Sequence, residues 1–216
     1  MYWIGKDEGQ EPLMKTGTTT VGLVFRDGVV LAADRKVSAG IYVAHKAGKK
    51  ILPIDRHAVV TIAGVVADAQ AIVDVLRANA TLYRISNRMP MPIRAIATLA
   101  SNILFGSRLF PYVVEINVAG YDSGGPALYT VDLLGSLTSE KYIARGSGSP
   151  MALGVLEKEY RPDLTEEEAV KLAVIAVKSA IKWDPFSGEG IDLVVVTSDG
   201  YRYVGDEKIK TLAGIA

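Results

Sequence analysis

The chain has 216 residues, of which 49% are hydrophobic and 22% are charged, and its net charge is zero because Lys plus Arg and Asp plus Glu both number 24. This composition excludes a disordered chain, and the zero net charge argues against nucleic acid or an anionic membrane as the main partner. Cysteine is absent, which excludes disulfides, a thiolate nucleophile and a thiolate-bound metal.

Length and hydropathy limit the class of protein further. A chain of this length suits one large domain, and no apolar run reaches the roughly 18 residues that a membrane span requires. Residues 1–15 include charged side chains and lack the apolar centre of a signal peptide. We therefore expect a cytoplasmic protein, and a mean hydropathy of +0.22 at zero net charge favours an oligomer.

The N-terminal half is predicted to contain five strands and then two helices. Residues 1–17 are polar, contain Gly and Pro and follow no clear period, which indicates a leader or a flexible end. Alternating apolar residues and an Asp27-Gly28 turn signal predict strands, and apolar residues at helical spacing predict helices. The strands are residues 18–25, 29–34, 41–45, 49–54 and 58–62, and the helices are residues 66–85 and 93–105.

The C-terminal half is predicted to contain three strands, two helices and two closing strands. Thr165 and Glu168 form a capping-box pattern at the start of its second helix, and Ser198-Asp199-Gly200 marks a hairpin turn near the end. The predicted strands are residues 112–119, 127–134, 141–144, 191–197 and 201–204, and the predicted helices are residues 151–160 and 165–183.

Blocks of strands thus alternate with pairs of helices. Strict alternation of single strands and helices would favour a parallel sheet, whereas segregated blocks favour antiparallel sheets with helices packed outside. The strands are nearly continuous apolar runs, which is typical of sheets covered on both faces. We predict an α+β fold, a four-layer αββα sandwich of two antiparallel sheets flanked by helix pairs, in one domain over residues 18–216.

Three consecutive threonines, Thr18 to Thr20, open the first strand. A strand threonine is ordinarily a β-branched residue that fits the pleat, but Gly17 before Thr18 leaves room for attack on its own carbonyl. A hydroxyl nucleophile needs a base, and the histidines, His45 and His57, are poor candidates. We expect a backbone amine to be the base, because cutting the Gly17–Thr18 bond would place an α-amino group beside the Thr18 hydroxyl.

Asp34 and Lys50 bring charges onto predicted apolar strands. Asp34 lies on the next strand and Lys50 on a strand that follows, so both reach Thr18 if these strands pair as neighbours. Because an unpaired buried charge is costly, we expect the two to pair. Such a pair also fits a purely structural role, but beside a hydroxyl the lysine ammonium would lower the pKa of an adjacent amine or alcohol.

Five short motifs follow one another from residue 17 to residue 188. They are Gly17-Thr18-Thr19-Thr20-Val21-Gly22, Leu31-Ala32-Ala33-Asp34-Arg35-Lys36, Lys49-Lys50, Gly146-Ser147-Gly148 and Asp184-Pro185-Phe186-Ser187-Gly188. In this order and spacing they resemble the proteasome β subunits, which are N-terminal nucleophile hydrolases, and the archaeal type fits best. The resemblance extends from Gly17 almost to the C-terminus.

The resemblance implies a role for each matching residue. Thr18 is the nucleophile, its free α-amino group is the proton acceptor, and Asp34 orients Lys50, which tunes Thr18. The amide of Gly64 is the donor of an oxyanion hole. Read singly, the two serines of the set also fit ordinary turn chemistry. The full catalytic set is Thr18, Asp34, Lys50, Ser147, Asp184 and Ser187.

The resemblance also places a pocket for the residue that precedes the scissile bond. The positions that match it are apolar or glycine, so the pocket should favour large hydrophobic side chains. Ser38 and Gly64 flank the cleft and would bind an extended peptide as an added strand. The pocket positions are Val37, Gly48, Leu52, Ile62 and Val66.

Residues 1–17 are implied to be a propeptide, removed when the Thr18 hydroxyl attacks the Gly17 carbonyl and water releases the new N-terminus. The implied partners are a proteasome α-subunit ring, other β subunits in a heptameric ring, a regulatory ATPase acting through the α ring, and polypeptide substrates. No cofactor, metal, nucleic acid or membrane is expected.

Other interpretations remain open. Residues 1–17 also fit a disordered tail, and the chain also fits a non-catalytic structural member of the ring or an amidohydrolase acting on a small molecule. The complete catalytic set argues against the structural member, and the Gly-Ser-Gly and Asp-x-x-Ser segments argue against the amidohydrolase.

One further segment, Asp122-Ser123-Gly124-Gly125-Pro126, copies the signature around the nucleophile of trypsin-like serine proteases. That chemistry needs a histidine base and an orienting aspartate, and neither histidine has the required sequence context. A Gly-rich hairpin turn explains the segment better. His45 and His57 are expected at the surface or at strand ends, and they give little support to a metal site.

Overall fold

The computed structural model describes residues 17–39 and 42–214, which form twelve strands and five helices. The strands are β1 (Thr20–Phe25), β2 (Gly28–Asp34), β3 (Val37–Ala39), β4 (Tyr42–His45), β5 (Ile51–Asp55), β6 (Ala58–Gly64), β7 (Val114–Asp122), β8 (Gly125–Val131), β9 (Leu137–Ser139), β10 (Tyr142–Arg145), β11 (Ile191–Thr197) and β12 (Gly200–Tyr203). The helices are α1 (Val66–Asn87), α2 (Ile93–Gly106), α3 (Ser149–Glu159), α4 (Glu166–Trp183) and α5 (Asp206–Ala213).

The strands build two five-stranded antiparallel sheets and a short ribbon. The first sheet has the order β10-β1-β2-β11-β12, the second has the order β5-β6-β7-β8-β9, and β3 pairs with β4 alone. Every residue of β2 is buried, because this central strand is covered on both faces.

The helices cover the outer faces of the two sheets. One apolar core joins the first sheet to α3, α4 and α5, and a second joins the second sheet to α1 and α2. A third cluster, which includes Leu31, Val59 and Leu128, fills the space between the sheets. The predicted four-layer αββα sandwich is therefore confirmed, with α5 as an additional helix on the side of α4.

Local sequence signals explain where the best-defined helix begins. Thr165 accepts a hydrogen bond from the Glu168 amide and Glu168 accepts one from the Thr165 amide, which is the predicted capping box. Eight buried residues of α4 then pack on the first sheet. Within the described ranges, no helix is both long enough and apolar enough to cross a membrane.

Three elements were not predicted. The strands β3 and β9 have three residues each, too few to display a period of two. The short helix α5 has acidic residues in its first turn and buried Ile209 and Ala213 one turn apart, a pattern that was present in the sequence and was not read as a helix. The predicted leader lies outside the described residues, apart from Gly17.

Strand register brings the ends of four segments to one edge of the first sheet. Thr20 at the start of β1 pairs with Ala33 and with Arg145 at the end of β10, while Asp34 at the end of β2 pairs with Ile191 at the start of β11. The segments that precede β1 and β11 and those that follow β2 and β10 therefore meet at this edge. Four of the five motifs that carry the resemblance lie in or next to these segments, and the fifth, Lys49-Lys50, precedes β5 of the second sheet.

Candidate active site

A buried ion pair lies at the centre of this edge. Lys50 Nζ is 2.6 Å from Asp34 Oδ1, and the side chains are 6% and 0% exposed. The same carboxylate accepts hydrogen bonds from the backbone amides of Thr19, Lys36 and Gly188 at 2.8, 3.1 and 2.9 Å. These donors hold the carboxylate in one orientation and satisfy its oxygens, without which burying the charge would be costly.

The route by which Lys50 reaches Asp34 differs from the prediction. We expected neighbouring strands of one sheet, but Asp34 ends β2 in the first sheet and Lys50 directly precedes β5, an edge strand of the second. The expectation was wrong because sequence order does not show that the chain changes sheet after the β3–β4 ribbon. Lys50 therefore crosses the gap between the two sheets to reach its partner.

Burial lowers the pKa of the Lys50 ammonium below its usual value, and the neighbouring Asp34 carboxylate opposes this shift. A lysine with a lowered pKa releases its proton more readily near neutral pH than an exposed one. The environment of Lys50 thus favours proton exchange at this amine.

The Thr18 side chain lies against the peptide bond that precedes it. Its hydroxyl donates a hydrogen bond of 2.7 Å to the Gly17 carbonyl oxygen, and Thr18 is 5% exposed. Its backbone amide donates to Ser147 Oγ at 3.2 Å. The hydroxyl is thus held beside the carbonyl that it would attack, and the amide is bound by a serine that could equally bind an amine at the same position.

A second hydrogen-bonded group surrounds Thr18 from the side of α4. Asp184, at the C-terminal end of α4, accepts hydrogen bonds of 2.6 Å from both Ser147 Oγ and Ser187 Oγ. Ser187 Oγ in turn lies 2.7 Å from Thr19 Oγ1. The structure therefore brings all six residues of the predicted catalytic set together, although their roles stay predictions.

Gly64 ends β6 at the mouth of the same site. Its φ of +135° lies in a region that residues with a side chain rarely adopt, and a Cβ at this position would lie 2.2 Å from the Val113 carbonyl oxygen. Only glycine fits here, and Gly64 lines the same cavity as Thr18.

A cavity of about 500 Å³ opens beside Thr18 and Lys50. All six residues predicted to bind substrate line it, namely Val37, Ser38, Gly48, Leu52, Ile62 and Val66. It is also lined by residues that the sequence analysis did not include, among them His45, Lys49, Gln70, Val73, Asp74 and Arg77. Positions 66, 70, 73, 74 and 77 follow helical spacing, which was the signal that one face of α1 forms a wall.

Two further residues of the site were missed. Thr19 was treated only as a strand residue, yet its amide binds Asp34 and its hydroxyl binds Ser187. Arg35, next to Asp34, pairs with Asp192 of β11 at 2.7 Å and with Asp206 of α5 at 2.6 Å. The hydrogen bonds that Arg35 donates to the Asp206 carboxylate raise the pKa of Arg35 above its usual value. These two ion pairs connect the end of β2 to β11 and α5.

Of the segments judged unsuitable for catalysis, the Asp122–Pro126 turn and His57 are held by contacts outside the catalytic set, whereas His45 lines the cavity. Asp122 and Gly125 face each other across the β7–β8 hairpin, as predicted, and His57 Nε2 lies 2.8 Å from the Met91 carbonyl oxygen. His45 is exposed at the end of β4. Among the residues that the structure describes, no cluster of three or more His, Asp or Glu could hold a metal ion.

Comparison with known proteins gives a consistent result. Residues 14–196 match the sequence model of a family described as proteasome subunit. The chain is 56% identical to proteasome subunit beta 1 of Pyrobaculum calidifontis, over 87% of this chain and 94% of the relative. It is 49% identical to proteasome subunit beta 2 of Aeropyrum pernix, over 89% and 87% of the two chains. It is 47% identical to proteasome subunit beta 2 of Nitrosopumilus maritimus, over 91% and 93%.

Proposed function

This chain belongs to the proteasome subunit family, as a β subunit of the archaeal type, and we propose that it is a catalytic one: a threonine endopeptidase that removes its own leader and then degrades unfolded polypeptides. The observation that carries the proposal is the position of the Thr18 hydroxyl, 2.7 Å from the Gly17 carbonyl oxygen and between two buried carboxylate networks. A non-catalytic β subunit would have no need of these networks around a threonine.

In the first reaction the chain cuts itself. Thr18 Oγ bonds to the Gly17 carbonyl carbon, and its proton passes to Lys50 in the neutral form of that amine, which burial favours and the Asp34 carboxylate opposes. The bond between Gly17 and the Thr18 nitrogen then breaks, and that nitrogen takes up a proton. Water hydrolyses the resulting ester, so that Gly17 leaves as a carboxylate and Thr18 keeps its hydroxyl and gains a free amine.

In the second reaction the free amine acts as the base. It accepts the Thr18 hydroxyl proton while Oγ bonds to a peptide carbonyl carbon, and it returns the proton to the leaving amine as the carbon–nitrogen bond breaks. Water then hydrolyses the ester on Thr18, which releases the second product as a carboxylic acid and restores the hydroxyl. Ser147 and Asp184 would hold the amine in place, and the Gly64 amide would stabilise the oxyanion, by about 3–4 kcal/mol if it behaves like other oxyanion-hole donors. The reaction uses no metal or cofactor in this proposal.

The cavity supports a preference for cleavage after large hydrophobic residues. Its walls include Val37, Leu52 and Ile62. Of its charged lining residues, Lys49 and Asp74 are exposed and can remain hydrated, Lys50 is paired with Asp34, and Arg77 is paired with Asp74. An apolar side chain in the cavity would displace water from these walls at a gain of roughly 25 cal/mol per Å² buried. A charged side chain would lose hydration there without a partner on the apolar walls.

Val66→Glu is expected to shift this preference towards basic residues. Val66 is 45% exposed on the cavity wall, and at the N-terminus of α1 a carboxylate is well tolerated. The ratio of kcat/KM for peptides ending in Arg to that for peptides ending in Tyr should rise about tenfold, equivalent to 1.4 kcal/mol. Val66→Gln, which has the same shape without the charge, is the control. An equal rise in both variants, or none with glutamate, would show that a charge at position 66 does not act on the bound side chain.

The experiment that tests the proposed function is the intact mass of the subunit before and after assembly, measured alongside peptide hydrolysis. We expect loss of residues 1–17, a new N-terminus at Thr18, and hydrolysis that appears in step with the shorter mass. A chain that assembles, keeps its full mass and hydrolyses nothing would instead be a structural β subunit. Adding separately prepared partner β subunits would show whether leader removal needs them.

Assembly forms part of the same proposal. The partners would be a proteasome α-subunit ring, other β subunits in a heptameric ring, and a regulatory ATPase acting through the α ring, in the cytoplasm. Leu109 and Phe110, between α2 and β7, are 83% and 91% exposed, and adjacent exposed apolar side chains of this size support burial against another subunit.

A further inference from the structure

The residue at the scissile bond packs against the loop that follows α4. A Cβ on Gly17 would lie 1.9 Å from Phe186 Cβ and 2.9 Å from both Phe186 Cα and Cγ. Non-bonded carbon atoms do not approach so closely, so a residue with a side chain at position 17 would require a shift of either residue 17 or Phe186. This steric restriction is separate from the hydrogen bonds that position Thr18.

The loop is fastened on both sides of Phe186. The Phe186 amide donates to Asp184 Oδ1 at 3.2 Å, and its carbonyl oxygen accepts from Ser38 Oγ at 3.2 Å. The preceding carbonyl, of Pro185, accepts from Lys36 Nζ at 2.6 Å. Asp184 itself is held by the two serines. Phe186 is therefore a fixed wall, and a clash would displace residue 17 more readily than the loop.

We propose that Phe186 is the residue that restricts the self-cleavage site to glycine, by pressing on position 17 and so setting the distance between its carbonyl and the Thr18 hydroxyl. The inference rests on the proposed function, since it concerns the same self-cleavage. It assigns to Phe186 a specificity role that none of the predicted catalytic residues has. A larger residue at position 17 would move the carbonyl away from the hydroxyl, and a misplacement of 1 Å can cost about a hundredfold in rate.

The test compares rates of leader removal in assembled particles, followed by intact mass. Gly17→Ala should slow leader removal by about a hundredfold. Combining it with Phe186→Gly removes the atom at 1.9 Å, and this double variant should remove its leader at least about tenfold faster than Gly17→Ala alone. Its rate should stay below that of the unaltered chain because the Cα of residue 186 still lies 2.9 Å away. Combining it with Phe186→Ala keeps the offending Cβ and should restore nothing. Because both substitutions remove the aromatic ring, this contrast isolates the effect of the Phe186 Cβ.

Two outcomes would overturn the inference: equal rates for the two double variants, or Gly17→Ala cleaving as fast as the unaltered chain. If Phe186→Gly prevents assembly, the uncleavable Thr18→Ala precursor provides the answer, since its structure with and without Gly17→Ala should differ by about 1 Å or more at the residue 17 carbonyl. An unmoved carbonyl there also overturns the inference. An unaltered chain that never loses its leader would refute the proposed function itself, which is a different result.

Discussion

Thr18→Ala is expected to abolish both leader removal and peptide hydrolysis while leaving ring assembly intact. The variant lacks the oxygen that bonds to the carbonyl carbon in both reactions, and losing the nucleophile of a hydrolase costs on the order of a million-fold in kcat. Alanine fits the buried position, because it removes atoms without adding any and loses only the hydrogen bond to the Gly17 carbonyl. Intact mass, size-exclusion chromatography and a fluorogenic peptide assay measure the three properties separately.

Thr18→Ser is the matched control for this variant. Serine keeps the hydroxyl and its proton and loses the methyl group, which restricts the side-chain rotamer of threonine. We expect this variant to remove its leader and to hydrolyse peptides, both more slowly than the unaltered chain. Hydrolysis that persists in Thr18→Ala particles would place the nucleophile elsewhere and end the proposal.

Asp34→Asn should also eliminate activity, and it should destabilise the subunit. Asparagine leaves the Lys50 ammonium buried without its counter-charge, and breaking a buried ion pair by removing one partner costs about 3–5 kcal/mol. It also replaces one carboxylate oxygen, which now accepts from two donors, by an NH₂ group that is itself a donor. The thermal midpoint of the assembled particle and its rate of leader removal report the two effects.

The companion variants separate the structural role of the ion pair from its chemical role. Lys50→Met leaves Asp34 with its three backbone donors and should cost less stability than Asp34→Asn. The double variant buries no unpaired charge, so its midpoint should lie closest to that of the unaltered chain. All three variants should be inactive, because each lacks either the Lys50 amine or the Asp34 carboxylate that orients it. If the two single losses of stability simply add in the double variant, the residues do not act as a pair.

The sequence predicted the sheets and the identity of the clustered residues better than it predicted how they meet. Strand and helix blocks are set by local apolar periodicity, which is why the layers could be predicted. The partner of Asp34 depends on which sheet holds β5, and that choice is made by long-range packing that no local pattern records. The role of Phe186 was invisible for a similar reason, because its packing against Gly17 joins residues far apart in the chain.

Because the two residues of the ion pair come from different sheets, the subunit must fold before it can cleave itself. Asp34 and the segment before β1 belong to one sheet, and Lys50 belongs to the other, so the reactive geometry exists only when the two layers have closed on each other. A nascent or half-folded chain has no such arrangement and cannot cut anything, including itself. On the proposed mechanism, a freed N-terminus is therefore a chemical record that the molecule has finished folding, and a cell that contains many such subunits is protected from proteolysis by incomplete ones.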